Sequence, residues 1–315
     1  MGRLKEGLTW RLSDPGMGLL ERAGLAALYM TLRAAGEQAE DLSPLEWDVT
    51  DLAPQSVTIR STGEDKPALV KLFDWAWQVR DGVLYLPAVH RDDAARHNAF
   101  MRVSAHNGVT RTFLQHPRVQ PKGEPVEKLV QLDEGRQIRI AYQPLEPTRL
   151  KPIGDLNRPG FFTRDGRLSQ KGVTLSGWVF PGIAPRYGSE VAWAGPPSRG
   201  LLLMLSPIVC LYQQLRAERG TWVFVIPDVR HLEDFDAIRV SPVFGLDPRF
   251  TDVASLSDAG LRFLAKATTS SARRHLAVGC RVVAMGKVGY YQSQSIRKGV
   301  VDVTASAKVI RRYKH

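Results

Sequence analysis

Past the turn signal Asp14, Pro15 and Gly16, apolar residues recur at Leu19, Leu20, Ala23, Ala27, Met30 and Leu32. That spacing predicts a helix with one buried face, closed by Gly36. Trp47 and Val49 open a short strand, and Val57 and Ile59 alternate as in a half-buried one, before Gly63 and Pro67 punctuate the chain. Leu69, Leu72, Phe73 and Ala76 predict a second helix. Trp75 and Trp77 fall on its other sides, where either core packing or one contact with a partner accounts for them. Asp81 and Gly82 predict a turn, Val83 and Tyr85 a strand, and Asp92 to Val103 a further helix. From Val126 to Tyr142 the pattern is a hairpin, with Leu129 and Val130 on one arm, Asp133, Glu134 and Gly135 at the turn, and Ile138 and Ile140 on the other arm.

Residues 144–200 hold eight prolines and nine glycines around short strand signals such as Val173 to Phe180, which predicts structured, irregular excursions. Leu201 to Leu215 is an apolar helix candidate, bent or restarted at Pro207 and followed by the strongly apolar strand Trp222 to Ile226. Leu232 and Phe235 predict a short helix, Ile238 and Val240 a strand, and Leu256, Leu261, Phe263 and Leu264 a last helix. The expected class is α+β: mixed helices and antiparallel strands with long irregular loops and a basic β-rich C-terminal segment. A division into an N-terminal α+β region, 1–143, and a loop-rich remainder with the final sheet, 144–315, fits this order; so does one continuous domain.

The chain has 315 residues, of which 43% are hydrophobic and 24% charged, an ordinary globular balance that excludes collagen-like and fully disordered chains. Cys210 and Cys280 have no ligand-like spacing and support neither a disulfide scaffold nor a thiolate zinc site, which suits a reducing, cytoplasmic compartment. Arg3, Lys5, Glu6, Arg11 and Asp14 interrupt the start of the chain, so no secretory signal is expected. The most apolar segment, Leu201 to Leu211, falls short of the ~20 residues that cross a bilayer, so no membrane partner is expected.

Charge changes the picture more. The formal net charge is +11, yet residues 266–315 carry 11 of the 43 basic side chains and one acid, Asp302. Clustered positive charge attracts polyanions, of which nucleic acid is the usual one. Val278, Val282, Val283, Val300, Val301 and Val303 give this segment strand character, so its cations are expected on an ordered sheet and its loops. A second stretch, Ala94 to Gly123, holds Arg96, Arg102, Arg111, Arg118 and Lys122 without an acid, and His97, His106 and His116 add donors. A third, with Arg149, Lys151, Arg158, Arg164, Arg167 and Lys171, is diluted by Asp155 and Asp165.

Catalytic chemistry finds little support. A phosphate-binding loop, a zinc-protease helix and a dinucleotide fingerprint are all missing. Asp228, Glu233, Asp234 and Asp236 follow a strand and could hold a divalent metal for phosphodiester cleavage, but a helix start accounts for the same acids. His97, His106, His116 and His231 have no nucleophile or carboxylate partner legible from spacing. Cys280 beside Arg281 reads as a buried structural thiol. No catalytic residue, metal or cofactor is assigned.

Several segments together resemble the N-terminal portion of the large-subunit family of type I CRISPR surveillance complexes (Cascade), in particular a compact type I-B or myxobacterial-like variety. They are Arg22 to Met30, Phe73 to Trp77 leading to Asp81 through Pro87, Thr112 to Pro117, and Leu201 to Leu211 leading to Val225 through Asp228. The resemblance implies a non-catalytic subunit of a guide-RNA complex that checks the motif flanking the target in duplex DNA and helps hold the opened strands, sequence being read by base pairing. It implies as partners the guide RNA, the target DNA, and the backbone and guide-end-capping subunits. Larger relatives end in a helical bundle, whereas this chain ends in a basic β-rich segment, which suggests separate small helical subunits. A metal- or histidine-dependent nuclease, or a basic assembly protein that docks acidic subunits, are the alternatives.

Site residues follow from charge and presentation. Arg273, Arg274, Arg281, Lys287, Arg297, Lys298, Arg311, Arg312 and Lys314 are candidates for phosphate contact, with Arg118, Lys122 and Arg164 from the middle stretches. Asn107, Gly108, Arg111 and Gln115 offer base-edge or minor-groove donors, and Asn157 and Arg158 a loop wedge. Tyr290 and Tyr291 are candidates for stacking on unpaired bases, at most one of them on the binding face of a strand.

Overall fold

The computed structural model describes residues 7–37, 47–61, 63–91, 97–114, 120–131, 137–147, 156, 159–176, 192–218, 220–240, 252–267, 279–288, 291–304, 309–310 and 312. Strands β1 (Leu8–Arg11), β2 (Trp47–Ala53) and β3 (Ser56–Ser61) form an antiparallel sheet with β3 at its centre, and helix α1 (Leu19–Glu37) packs against it. Val57 and Ile59 alternate into the core as their period requires. Helix α2 (Asp65–Ala76) starts at Asp65, whose carboxylate accepts from Ser61 Oγ at 2.9 Å and from Leu168 N at 2.8 Å, tying the Pro/Gly-rich segment to the helix. Trp75 and Trp77 are both buried. Strands β4 (Gln78–Arg80) and β5 (Val83–Tyr85) are joined by Asp81 at φ 53° and Gly82 at φ 74°, the paired left-handed residues of a tight hairpin turn.

Helix α3 (His97–Thr112) is followed by the hairpin of β6 (Val126–Gln131) and β7 (Gln137–Tyr142) and by the short pair β8 (Val173–Ser176) and β9 (Ala192–Gly195). Helix α4 (Pro197–Leu205) then crosses α1. The two helices touch at Gly24, where a Cβ would collide with the Leu202 carbonyl, so only glycine admits the approach. The remaining elements are β10 (Leu211–Leu215), β11 (Trp222–Pro227), α5 (Leu232–Arg239), β12 (Asp252–Val253), α6 (Leu256–Ala267), β13 (Gly279–Val288) and β14 (Tyr291–Thr304). The larger sheet has the order β12-β10-β11-β13-β14, antiparallel except for the β10 and β12 pair.

This sheet is covered on both faces, which explains the unbroken apolarity of β11. Phe224 and Ile226 enter a core with Met30, Leu202 and Phe113, while Val223 and Val225 enter a second core with Phe263, Leu264 and Val282. The architecture is α+β, with several helices, mostly antiparallel sheets and a C-terminal sheet that carries Arg281 and Lys298. No helix among the described residues is long and apolar enough to cross a membrane.

Three expectations need correction. Leu211 to Leu215 is not helical: a 3-10 turn over Ser206–Ile208 ends α4, and the chain continues as β10 against β11. Ile238 belongs to α5 rather than to a strand, its side chain packing on the second core. The third helix runs His97–Thr112, beyond the expected end at Val103, while residues 92–96 lie outside the described residues. The strand at Val173 is described to Ser176 only; residues 177–180 lie outside the described residues.

Candidate nucleic-acid interface

The acid-free middle stretch and the C-terminal sheet meet in one groove. Asn107 and Arg111 are four residues apart on α3 and so share a face. Between them Gly108 is buried against the Tyr212 ring of β10, where a Cβ has no room, and this close seating sets α3 directly on the sheet. Two residues past Tyr212, Gln214 lies on the same side of β10 and pairs in register with Trp222 of β11. Tyr142 and Gln143 at the end of β7 close one wall, and Lys298 of β14 stands at another. The cavity they line is about 520 Å3.

Its polar groups are held in defined roles. Asn107 donates through Nδ2 to the Ala141 carbonyl at 2.9 Å, and Gln143 donates through Nε2 to the Gly123 carbonyl at 2.9 Å. Lys298 Nζ lies 2.9 Å from Glu218 Oε2, and Thr221 Oγ1 donates to the same oxygen at 2.9 Å. These hydrogen bonds, Lys298 first, hold the Glu218 carboxyl below its ordinary value. Arg111 is exposed and makes no ion pair among the described residues. Behind the wall, His106 accepts from Leu84 N at 3.2 Å through Nδ1, and its Nε2 donates to the Gln143 carbonyl at 2.8 Å. Burial lowers its pKa to about 4, so it is a neutral strut and not one of the donors expected of this stretch.

Asn107, Arg111 and Lys298 are thus brought together from the expected residues. Arg281 projects from β13 in a bidentate pair with Asp302 of β14, at 2.7 and 2.8 Å, both side chains substantially exposed. Arg281 and Arg297 border a smaller cleft of about 140 Å3 beside the N-terminus of α1 and Glu21. Lys122, Arg164 and Arg312 are exposed elsewhere on the surface. Lys287 and Tyr291 occupy β13 and β14, but their side chains lie outside the described residues, as do Gln115, Arg118, Asn157, Arg158, Arg273, Arg274, Tyr290, Arg311 and Lys314. Sequence reasoning missed Gln143, Gln214 and Trp222. The available signals were the glutamine pair that breaks an apolar run and a tryptophan at the mouth of a buried strand, just after a glycine turn.

Of the acids weighed for metal chemistry, Asp228, Asp234 and Asp236 are paired. Asp228 pairs with Arg22 at 2.9 Å and Arg230 at 3.2 Å, and His231 caps α5 by accepting from Asp234 N at 3.2 Å. Asp236 is buried between Arg91 at 2.6 Å and Arg33 at 3.0 Å. Among the described residues, no group of three His, Cys, Asp or Glu side chains could hold a metal ion. Cys280 is buried, as expected, and burial raises its thiol pKa to about 12. His97 and His116 have no described side chain.

Residues 9–204 match the family model described as the DevT N-terminal domain. The CRISPR-associated protein Cas8a1/Csx13 of Myxococcus xanthus is 26% identical over 323 aligned positions, which take in 97% of this chain and 54% of that protein. The chain therefore spans about half the length of the curated relative it matches. Asn107, Arg111 and Gln143 fall within the matched family segment, whereas Gln214, Trp222 and Lys298 follow it.

Proposed function

Because this chain belongs to the family of the DevT N-terminal domain, we propose that it is a nucleic-acid-binding part of a guide-RNA-directed CRISPR complex, contributing to recognition of the duplex beside the target and to holding the opened strands. The observation that carries this reading is the convergence of Arg111 and Asn107 with Lys298 and Trp222 around one polar groove. Cations there position a phosphate backbone, while amides and an aromatic face address bases. Guide RNA, target DNA and the neighbouring subunits of such a complex, small helical subunits among them, are its proposed partners. No bond-breaking step is assigned to it; cleavage falls to a separate protein.

The test is binding of the purified chain to duplex and single-stranded DNA across a salt series. Affinity is expected to fall steeply with salt, and Arg111→Glu is expected to reduce the slope of log affinity against log salt by about one. Salt-independent binding, or stable assembly with acidic subunits in the absence of any polynucleotide, would favour an assembly role instead.

A further inference from the structure

We infer that the outer edge of β14 is an interface between two copies of this chain, which pair their β14 strands antiparallel about a two-fold axis at Val300. The inference stands apart from the nucleic-acid reading. β14 is a 14-residue strand and the outermost of the five-stranded sheet, so one side of it has no partner strand among the described residues. The backbone N–H and C=O groups on that side alternate at strand spacing, a pattern that another extended polypeptide matches and a phosphate backbone does not. Native sheets blunt such edges with bulges and lysines, and here both lie at one point: the register with β13 shifts between Arg297 and Gly299, leaving Lys298 as the extra residue. From Gly299 to Thr304 the pairing with β13 is unbroken. Within that stretch Val300 leaves an apolar side chain 42% exposed.

The charges select a second copy as the occupant. Lys298, Val300 and Asp302 share one face of the strand: Val300 and Arg281 line the cleft beside α1, Asp302 pairs with Arg281, and alternate residues of a strand point the same way. In an antiparallel pair centred on Val300, position 298 of one copy falls opposite position 302 of the other. Each Lys298 then meets an Asp302, twice by symmetry, and the two Val300 side chains meet on the axis. No other antiparallel self-register brings these two charges together. The pairs within each chain are extended, not broken. Lys298 Nζ lies 2.9 Å from Glu218 Oε2, and Arg281 holds Asp302 at 2.7 and 2.8 Å. Across the axis the row therefore runs Glu218, Lys298, Asp302, Arg281, its signs alternating from end to end. A uniformly acidic or basic partner would set like charge against Asp302 or against Lys298; a second copy does neither.

The experiment is sedimentation velocity on the full chain, freed of polynucleotide, over a concentration series. A monomer–dimer equilibrium in the micromolar range is expected, since one strand pair buries little area. Val300→Cys is expected to cross-link the two copies through a short bismaleimide, with little background because Cys210 and Cys280 are buried. Thr304→Cys, which this register holds roughly 26 Å from its copy, is expected not to cross-link. Lys298→Asp and Asp302→Lys each set two like-charge pairs across the axis, and each is expected to weaken dimerisation about tenfold. Mixing the two variants restores opposite charges at both places, so the heterodimer is expected to recover the native affinity, which mixing two misfolded chains would not achieve. A chain that stays monomeric at every concentration would overturn the interface and leave the edge to a different polypeptide. A dimer that needs polynucleotide, a Val300→Cys chain that does not cross-link, a Thr304→Cys chain that does, or a mixture no tighter than its parts would overturn it equally.

Discussion

His106 and His90 show how burial turns a potential acid-base residue into a structural one. His90 Nδ1 accepts from Leu86 N at 3.0 Å, as His106 does from Leu84 N, and burial lowers their pKa values to about 3 and about 4. An unfolded histidine titrates near 6.5, so below that pH the unfolded chain binds more protons than the folded one. The stability these residues contribute is complete above about pH 6.5 and drains away as pH falls towards 4 for His106 and 3 for His90. Asp236, pushed up chiefly by burial, works in the opposite direction within its own range. Urea midpoints are expected to fall between pH 7 and pH 5, and His106→Gln to flatten that dependence; a flat profile in the native chain would contradict the buried neutral rings. Asp302 presents the contrary case of an exposed charge. Its pair with Arg281 is worth little in water, so Asp302→Asn is expected to shift stability by less than ~1 kcal/mol while freeing a cation and tightening DNA binding at low salt.

At the scale of elements, two glycines decide how closely helices approach their neighbours. Gly24→Ala forces α1 away from the Leu202 carbonyl and is expected to destabilise the fold by about 2 kcal/mol or more in urea unfolding. Gly108→Ala pushes α3 off the Tyr212 ring, so it is expected to cost stability and to displace Asn107 and Arg111 from the groove, weakening DNA binding beyond what the stability change explains. Neither demand is legible locally: Gly24 sits inside a sequence that reads as ordinary helix, and Gly108 lies beyond the end expected for the third helix. The same limit explains the elements that were misread. From Leu201 to Tyr212 only Ser206 is polar, and periodicity cannot separate a buried helix from a buried strand in so short a run. The change at Cys210 is set by the 3-10 turn before it and by β11 waiting alongside.

For the whole molecule, the larger core takes residues from Trp10 to Met285, so α1, α4 and the five-stranded sheet are stabilised by one another. Urea unfolding is expected to be a single transition, coincident by tryptophan fluorescence and circular dichroism. Two separated transitions would indicate that 1–143 and 144–315 fold as separate units. The charge map is also a property of the whole. Residues 266–315 carry most of the net charge, but Arg281 and Lys298 are each joined to a carboxylate, while Arg111, from a less basic stretch, makes no ion pair among the described residues. Sequence counts charges; it does not show which of them are already compensated.

The linear chain by itself determined the α+β class, the presence of α1, though not its burial on every side, the buried face of α2, the tight turn at Asp81 and Gly82, the β6 and β7 hairpin and the cationic bias of the final sheet, because each follows from interactions between residues near in sequence. It also marked Asn107, Arg111 and Lys298 by type. Only the tertiary structure decided that these three share a groove with Trp222, Gln143 and Gln214, that His106 is a strut behind it, and that β10 is a strand. Those outcomes depend on contacts between segments up to nearly two hundred residues apart, where burial, register and close approach override what any local window expresses.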